Sequence, residues 1–216
     1  MKRLILIALF STCMIGLYAQ GEVGSFSFQP KVGMNVSHLV STRNSPTIGL
    51  AAGFEWEYQV AERVGLSFAI MFSMQGVKPK NADGFVLVNE DGYSVYEPDV
   101  TFKLNYIQIP FLVNGYVAKG LAFKLGIQCG IKTCANYKFN NVKTIQDSQI
   151  VDVKGELSEL GIETKDYILS IPVGVSYEFH NIVLECRYNI GVSKFFSNIN
   201  VNNNVFQFTI GMKFGR

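Results

Sequence analysis

The sequence predicts an all-β protein, an eight-stranded antiparallel up-and-down transmembrane β-barrel. Three observations lead to this fold class. Only 17% of the 216 residues are charged, against about 25% in a typical soluble domain. Apolar and polar residues alternate with a period of two along most of the chain, and the stretches between these segments are short and long in turn. After residue 20, no apolar run approaches the roughly 20 residues that a membrane-spanning helix needs.

The first 19 residues have the features of a secretory signal peptide. Lys2 and Arg3 precede a short apolar run, and Ala19 is a small residue at a suitable cleavage point. A lipoprotein modified at Cys13 is a weaker alternative, because Phe-Ser-Thr before it is a poor lipobox. An uncleaved anchor is also weaker, because the apolar run is short. We therefore expect a signal peptide over residues 1–19 and one barrel domain over residues 20–216.

The charge balance disfavours a nucleic-acid partner. The chain has 19 basic and 17 acidic residues, and both basic residues of the leader are lost on cleavage. The mature chain then carries 17 of each sign, without the basic excess that nucleic-acid binding requires.

The first four predicted strands each set apolar residues against polar or small ones at alternate positions. Phe26–Leu39 places phenylalanine, valine and methionine opposite glutamine, lysine and asparagine. Residues 48–58 place leucine, phenylalanine and tryptophan opposite glycine and two glutamates. Residues 66–75 place phenylalanine and isoleucine opposite serine and alanine, and residues 104–116 place isoleucine and valine opposite glutamine, proline and asparagine. Side chains alternate across a strand, so each segment is an amphipathic strand.

The last four predicted strands repeat this pattern. Residues 121–132 set phenylalanine, leucine and isoleucine against lysine and glutamine. Residues 168–179 set valine and isoleucine against serine, glycine and glutamate, and residues 182–193 set leucine and tyrosine against glutamate and arginine. Residues 205–214 alternate phenylalanine, isoleucine and methionine with glutamine, threonine and lysine. Most of the eight reach the 9–11 residues of a tilted transmembrane strand.

The connections between the strands alternate in length. They are short at residues 59–63, 117–120 and 180–181, and the longest cover residues 77–103 and 136–165. Short turns at one end and long loops at the other are typical of an outer-membrane barrel. We therefore expect the protein in the cell outer membrane, with outer-membrane lipid around its wall.

The apolar faces should point outward and the polar faces inward, because lipid surrounds the wall. A soluble lipocalin-like barrel is the alternative, but it would have to bury charged side chains in an apolar interior or turn them to water. The predicted interior set of nine residues is nearly balanced in charge: Lys31, Glu55, Glu57, Lys124, Lys132, Glu178, Glu185, Arg187 and Lys213.

This set predicts ion pairs that fill the barrel. Eight strands enclose a space just wide enough for side chains, and an unpaired buried charge is costly. We interpret the set as a structural plug, with a proton or ion pathway as the alternative. Pro110 and Pro172 lie within predicted strands, so each should cause a bulge or a lost hydrogen bond.

No catalytic, cofactor or metal site is predicted. His38 and His180 are the two histidines, and no GxSxG, HExxH or phosphate-binding glycine motif accompanies them. The mature cysteines are Cys129, Cys134 and Cys186; their odd number and spacing disfavour zinc and disulfides. We therefore expect a protein that is not an enzyme.

The two longest loops contain many apolar residues among acidic ones, which is unusual for segments that only face water. They are either strand extensions above the membrane or a partner-binding surface.

Several segments resemble the PorT-like outer-membrane β-barrel family of Gram-negative bacteria. They are KVGMN at residues 31–35, LNYIQIP at 104–110, RYNIG at 187–191 and the closing strand at 206–214. The resemblance extends over nearly all of the mature chain. It implies an outer-membrane barrel, which in some members is associated with type IX secretion, and it supplies no catalytic residues.

The expected function is therefore a structural or interaction role, with envelope or secretion proteins as partners through the loops and an accessory part in protein secretion or envelope integrity. One alternative is a narrow passive channel or small-solute transporter, in which neutralising Lys124 or Arg187 would change ion selectivity. Another is a membrane enzyme, which would need His38 beside a carboxylate and a hydroxyl.

Overall fold

A computed structural model describes residues 22–39, 44–79, 99–143, 150–156, 165–193 and 202–215. The predicted signal peptide lies outside these residues, as does Cys13. Within them, no helix is long and apolar enough to cross a membrane.

Ten strands make up the described chain. They are β1 (Phe26–Leu39), β2 (Asn44–Ser45), β3 (Thr47–Ala61), β4 (Val64–Pro79), β5 (Asp99–Ala118), β6 (Leu121–Lys143), β7 (Ile150–Glu156), β8 (Tyr167–Phe179), β9 (Ile182–Gly191) and β10 (Asn203–Met212). Eight of them close into an antiparallel barrel in the order β1-β3-β4-β5-β6-β8-β9-β10, and β10 returns to β1. The short β2 pairs with β4, and β7 pairs with β6. The predicted fold class is confirmed.

The strands are tilted relative to the barrel axis, because their pairing register is staggered around the barrel. A line of paired residues that starts at Phe26 on β1 passes once around the barrel and returns to β1 at Val36, ten residues further along. An eight-stranded barrel with such a shear has strands inclined at about 40° and an interior that side chains can fill. The stagger therefore fixes both the barrel width and the space available for its contents.

The short turns lie together at one end of the barrel, which we call the turn end. They fall between β3 and β4, β5 and β6, and β8 and β9. Gly120 has φ of 83°, in the left-handed region that glycine tolerates best. The last described residues reach the same end, where Phe214 forms a bridge with Phe28 of β1. The opposite end is called the loop end.

The wall has its apolar face outward. Phe123, Leu125 and Ile127 alternate along β6 and are each more than half exposed, whereas Lys124 and Gln128, on the opposite face of this strand, are buried. The other barrel strands show the same alternation. This arrangement matches the expected lipid-facing wall and excludes the lipocalin-like alternative, whose apolar face would line the interior.

An aromatic row runs across four neighbouring strands of the outer wall. Its ring centroids are 5.0–6.4 Å apart from one to the next. The row consists of Phe28, Phe54, Trp56, Phe68 and Phe111. Aromatic rings favour the interface between lipid and water, and the row lies toward the turn end of the wall.

The strands at the loop end are longer than predicted. β4 continues to Pro79, β5 begins at Asp99, and β6 continues to Lys143, so the ends of both predicted long loops are strand. Beyond the membrane no lipid face has to be apolar, so the alternating pattern fades where the strands continue. The closing strand begins two residues earlier than predicted and ends at Met212.

The two strand prolines each interrupt one ladder and leave the register unchanged. Pro110 pairs with Gln128 of β6, and Pro172 pairs with Asn189 of β9. On the opposite side of each proline the ladder skips two pairs and resumes in the same register. Proline has no N–H to donate, so the predicted lost hydrogen bond is confirmed and no bulge forms at either residue.

Candidate functional site: the barrel interior and the loop end

Five charged side chains meet inside the barrel and form the upper cluster: Lys31, Glu55, Lys124, Glu185 and Arg187. They come from β1, β3, β6 and β9, and each is at most 4% exposed. Inward positions on these four strands bring the side chains to a similar level of the barrel.

Two carboxylates hold the three cations of the upper cluster. Lys31 Nζ lies 2.6 Å from both Glu55 Oε2 and Glu185 Oε2. Lys124 Nζ lies 2.6 Å from Glu55 Oε1 and 2.9 Å from Glu185 Oε2. Arg187 donates from Nε to Glu185 Oε1 at 2.7 Å and also contacts that oxygen through Nη2. All four carboxylate oxygens are therefore engaged by cations.

A second group, the lower cluster, lies closer to the turn end and consists of Glu57, Tyr116, Glu178 and Lys213. Lys213 Nζ is 3.1 Å from Glu178 Oε2 and 3.3 Å from Glu57 Oε2. The Tyr116 hydroxyl donates to Glu57 Oε1, and Lys213 Nζ also lies 5.8 Å from the centre of the Tyr116 ring. With ionised carboxyls, this cluster has one cation and two anions, and so offsets the extra cation of the upper cluster.

The structure thus brings eight of the nine predicted interior residues into two connected groups. Lys132 is the exception, because it lies toward the loop end and pairs with Asp166 at 2.8 Å. The Asp166 side chain is 72% exposed, so this pair lies at the rim of the barrel and not within either cluster. Ile131 is the last residue of β6 that pairs with β8. Lys132 follows it, so its side chain points inward at the rim of the barrel. Tyr116 was not among the predicted interior residues. Its inward position could have been predicted, because it lies two residues from the inward-facing Asn114 on the same strand.

Uncharged polar side chains occupy the interior on the loop side of the upper cluster. Asn35 Nδ2 donates to Ser73 Oγ at 2.8 Å, and Gln128 Nε2 donates to Ser170 Oγ at 3.1 Å. They lead to an apolar cap at the loop end that sequence reasoning did not find. The cap consists of the buried residues Val77, Phe102, Leu104, Tyr106 and Tyr137. Charged, polar and apolar side chains therefore follow one another from the turn end to the loop end of the described interior.

Strands continue from the barrel at the loop end, where residues 102–104 of β5 still pair with β4; the part formed by β5, β6 and β7 is called the loop-end sheet. It consists of residues 99–104 of β5, residues 132–143 of β6, and β7. β6 last pairs with β8 at Ile131, and twelve further residues of β6 follow. At about 3.3 Å per residue, this extension is comparable in length to a transmembrane strand. The expected strand extensions are present.

The histidine and cysteine candidates lie apart from this interior. The Ser37 hydroxyl points inward and donates to the Gly76 carbonyl at 2.7 Å, whereas the neighbouring His38 is exposed. His180 lies in a turn at the other end of the barrel. The three cysteines within the described ranges are free. Those ranges contain no group of three acidic, histidine or cysteine side chains placed to hold a metal ion.

The chain is similar to several solved outer-membrane proteins. Ail of Yersinia pestis, solved in complex with the heparin analogue sucrose octasulfate, is 15% identical with a TM-score of 0.46, over 89% of this chain and 100% of Ail. Neisserial surface protein A is 15% identical with a TM-score of 0.47, over 88% of this chain and 97% of that protein. OprG of Pseudomonas aeruginosa is 11% identical with a TM-score of 0.46, over 91% and 99%. No curated protein matches the chain.

A family match covers most of the sequence. Residues 18–197 match the family described as outer membrane protein beta-barrel domain. This match agrees with the closed barrel, its apolar outer wall and its polar interior. The protein is located in the outer membrane, and the chain belongs to the outer membrane protein β-barrel domain family.

Proposed function

We propose that this protein has a structural or interaction role in the outer membrane and that it contacts envelope or secretion proteins through the loop-end sheet. The observation that carries the proposal is the continuation of β5, β6 and β7 beyond the barrel. Strands exposed beyond a rigid barrel offer backbone and side-chain groups to a partner. The resemblance to PorT-like proteins favours an accessory part in secretion or envelope integrity.

The contents of the barrel support an interaction role over transport. The upper cluster, with its two carboxylates between three cations, crosses the interior. The apolar cap lies above it. Water and ions would have to pass both layers. The narrow channel therefore receives no specific support, and we likewise propose that the protein is not an enzyme.

Site-specific photo-crosslinking in cells tests the proposed role. A photo-reactive amino acid would replace Lys103, Cys134 or Asn136, which are exposed on the loop-end sheet. Lys119, exposed in a short turn at the other end, is the matched control. We expect discrete adducts with one or a few envelope proteins from the loop-end positions alone. The absence of adducts there, or equal adducts from Lys119, would contradict the proposal.

A further inference from the structure

A small cavity lies in the loop-side half of the barrel interior. Its volume is about 20 Å³, which is room for about one water molecule. Carboxamide side chains dominate its polar lining, and each of them is at most 8% exposed. They are Gln75, Gln108, Gln128, Asn189 and Asn203.

Four carboxamide atoms on this lining have no protein partner among the described residues. They are Gln128 Oε1, Asn203 Oδ1 and both polar atoms of Asn189. The other ends of two of these amides are fixed. Gln128 Nε2 donates to Ser170 Oγ at 3.1 Å, and Asn203 Nδ2 donates to Gln75 Oε1 at 2.6 Å. Rotating either amide to give its oxygen a protein partner would therefore break the hydrogen bond that its nitrogen makes.

The lining selects a neutral ligand that both donates and accepts hydrogen bonds. Three unpaired acceptors and one unpaired donor would repel an anion more than they attract it. A cation is also disfavoured, because Arg187 lies two residues from Asn189 on the same face of β9 and the upper cluster carries one more cation than anions. Water meets both conditions, since it makes two to four hydrogen bonds in buried sites.

We propose that an ordered water molecule is bound between Gln128, Asn189 and Asn203, as a built part of the interior. Two further groups extend the hydrated region toward the upper cluster. Gln207 is the cross-strand partner of Arg187. Neither polar atom of the Gln207 carboxamide has a protein partner among the described residues, and Arg187 Nη1 has none either. Hydration therefore reaches the upper cluster from the loop side. The assignment is independent of the proposed interaction role.

Nuclear magnetic resonance of the mature, isotope-labelled protein in lipid nanodiscs tests the proposal. We expect cross-peaks between water and the side-chain amide protons of Asn189 and Asn203, with the sign of a long-lived bound water. Asn189→Leu keeps the number of heavy atoms in the side chain but removes its amide donor group and its acceptor, and should abolish the water cross-peak at Asn203. Asn114→Leu is the matched control, because Asn114 is equally buried but does not line the cavity. That variant should leave the Asn203 cross-peak intact.

Three results would overturn the proposal. The first is the absence of a water cross-peak at Asn189 in the wild-type protein. The second is an Asn203 cross-peak that survives Asn189→Leu. The third is a saturable shift of the Asn189 signals on titration with sodium or potassium chloride, which would identify an ion as the occupant. If Asn189→Leu does not fold, as judged by its electrophoretic shift, Gln128→Leu provides the same comparison.

Discussion

Replacing Glu185 by glutamine should be the most damaging single change in the barrel interior. Glu185 contacts all three cations of the upper cluster, and its side chain is 2% exposed. In the variant, Lys31, Lys124 and Arg187 would share Glu55 as their remaining carboxylate in the cluster. Removing one partner of a buried ion pair leaves an uncompensated charge and costs about 3–5 kcal/mol. Glutamine has nearly the same shape, so the loss would report on charge rather than on packing.

The assay is equilibrium unfolding of the refolded barrel in lipid vesicles with urea or guanidinium. Trp56, the single tryptophan, lies on the outer wall and reports on folding through its fluorescence. Asp166→Asn is the matched control, because it also neutralises a carboxylate in an ion pair but at a side chain that is 72% exposed. Exposed pairs contribute about 0–1 kcal/mol, so this variant should unfold close to the wild type.

A double variant separates charge imbalance from general damage. Lys31→Met together with Glu185→Gln restores the original excess of one cation in the upper cluster. The combined loss of unfolding free energy should therefore be smaller than the sum of the two single losses. A cost of less than about 1 kcal/mol for Glu185→Gln, the range of an exposed pair, or additive losses in the double variant would show that the buried charges do not depend on one another.

Three further predictions follow from the wall and turns. Ile127 lies on the outward face of β6 at 61% exposure, and Ile127→Lys should lower the free energy of unfolding in lipid vesicles by about 2–4 kcal/mol. Tyr167→Lys, near the loop end, should lower it by only about 0–1 kcal/mol. Equal losses would contradict the assigned depths of these two residues in the membrane. Gly120→Ala should cost about 1–2 kcal/mol, because alanine is strained at a φ of 83°, and an unchanged unfolding midpoint would count against this. Brominated lipid chains should quench the fluorescence of Trp56, and insensitivity would contradict an outward-facing tryptophan.

Alternation predicted the wall of the barrel well because lipid imposes one rule on every strand. The outward face must be apolar throughout the span, so period-two patterns identified each barrel strand and the inward position of residues such as Lys124. The rule does not act beyond the membrane. The extensions of β5 and β6 therefore carried no clear pattern, and their ends were assigned to loops.

The sequence predicted which charged residues point into the barrel, but not which of them contact one another. Alternation gives the face of a residue, but its level depends on the stagger of ten residues around the barrel, which no single strand reveals. For this reason Lys132 was grouped with Lys124, although one lies at the rim and the other in the upper cluster. The role of Tyr116 depends on cross-barrel contacts with Glu57 and Lys213, which have no local sequence signal.

Single-channel conductance of the purified, refolded mature barrel in planar bilayers is the most direct test of whether side chains close the barrel interior, on which the preference for an interaction role over transport depends. We expect insertion without stable conductance steps, because the ion pairs of the upper cluster cross the interior and the apolar cap lies above them. A steady conductance in the wild-type protein, with an ion selectivity that changes in Lys124→Met, would contradict this expectation and favour a narrow channel.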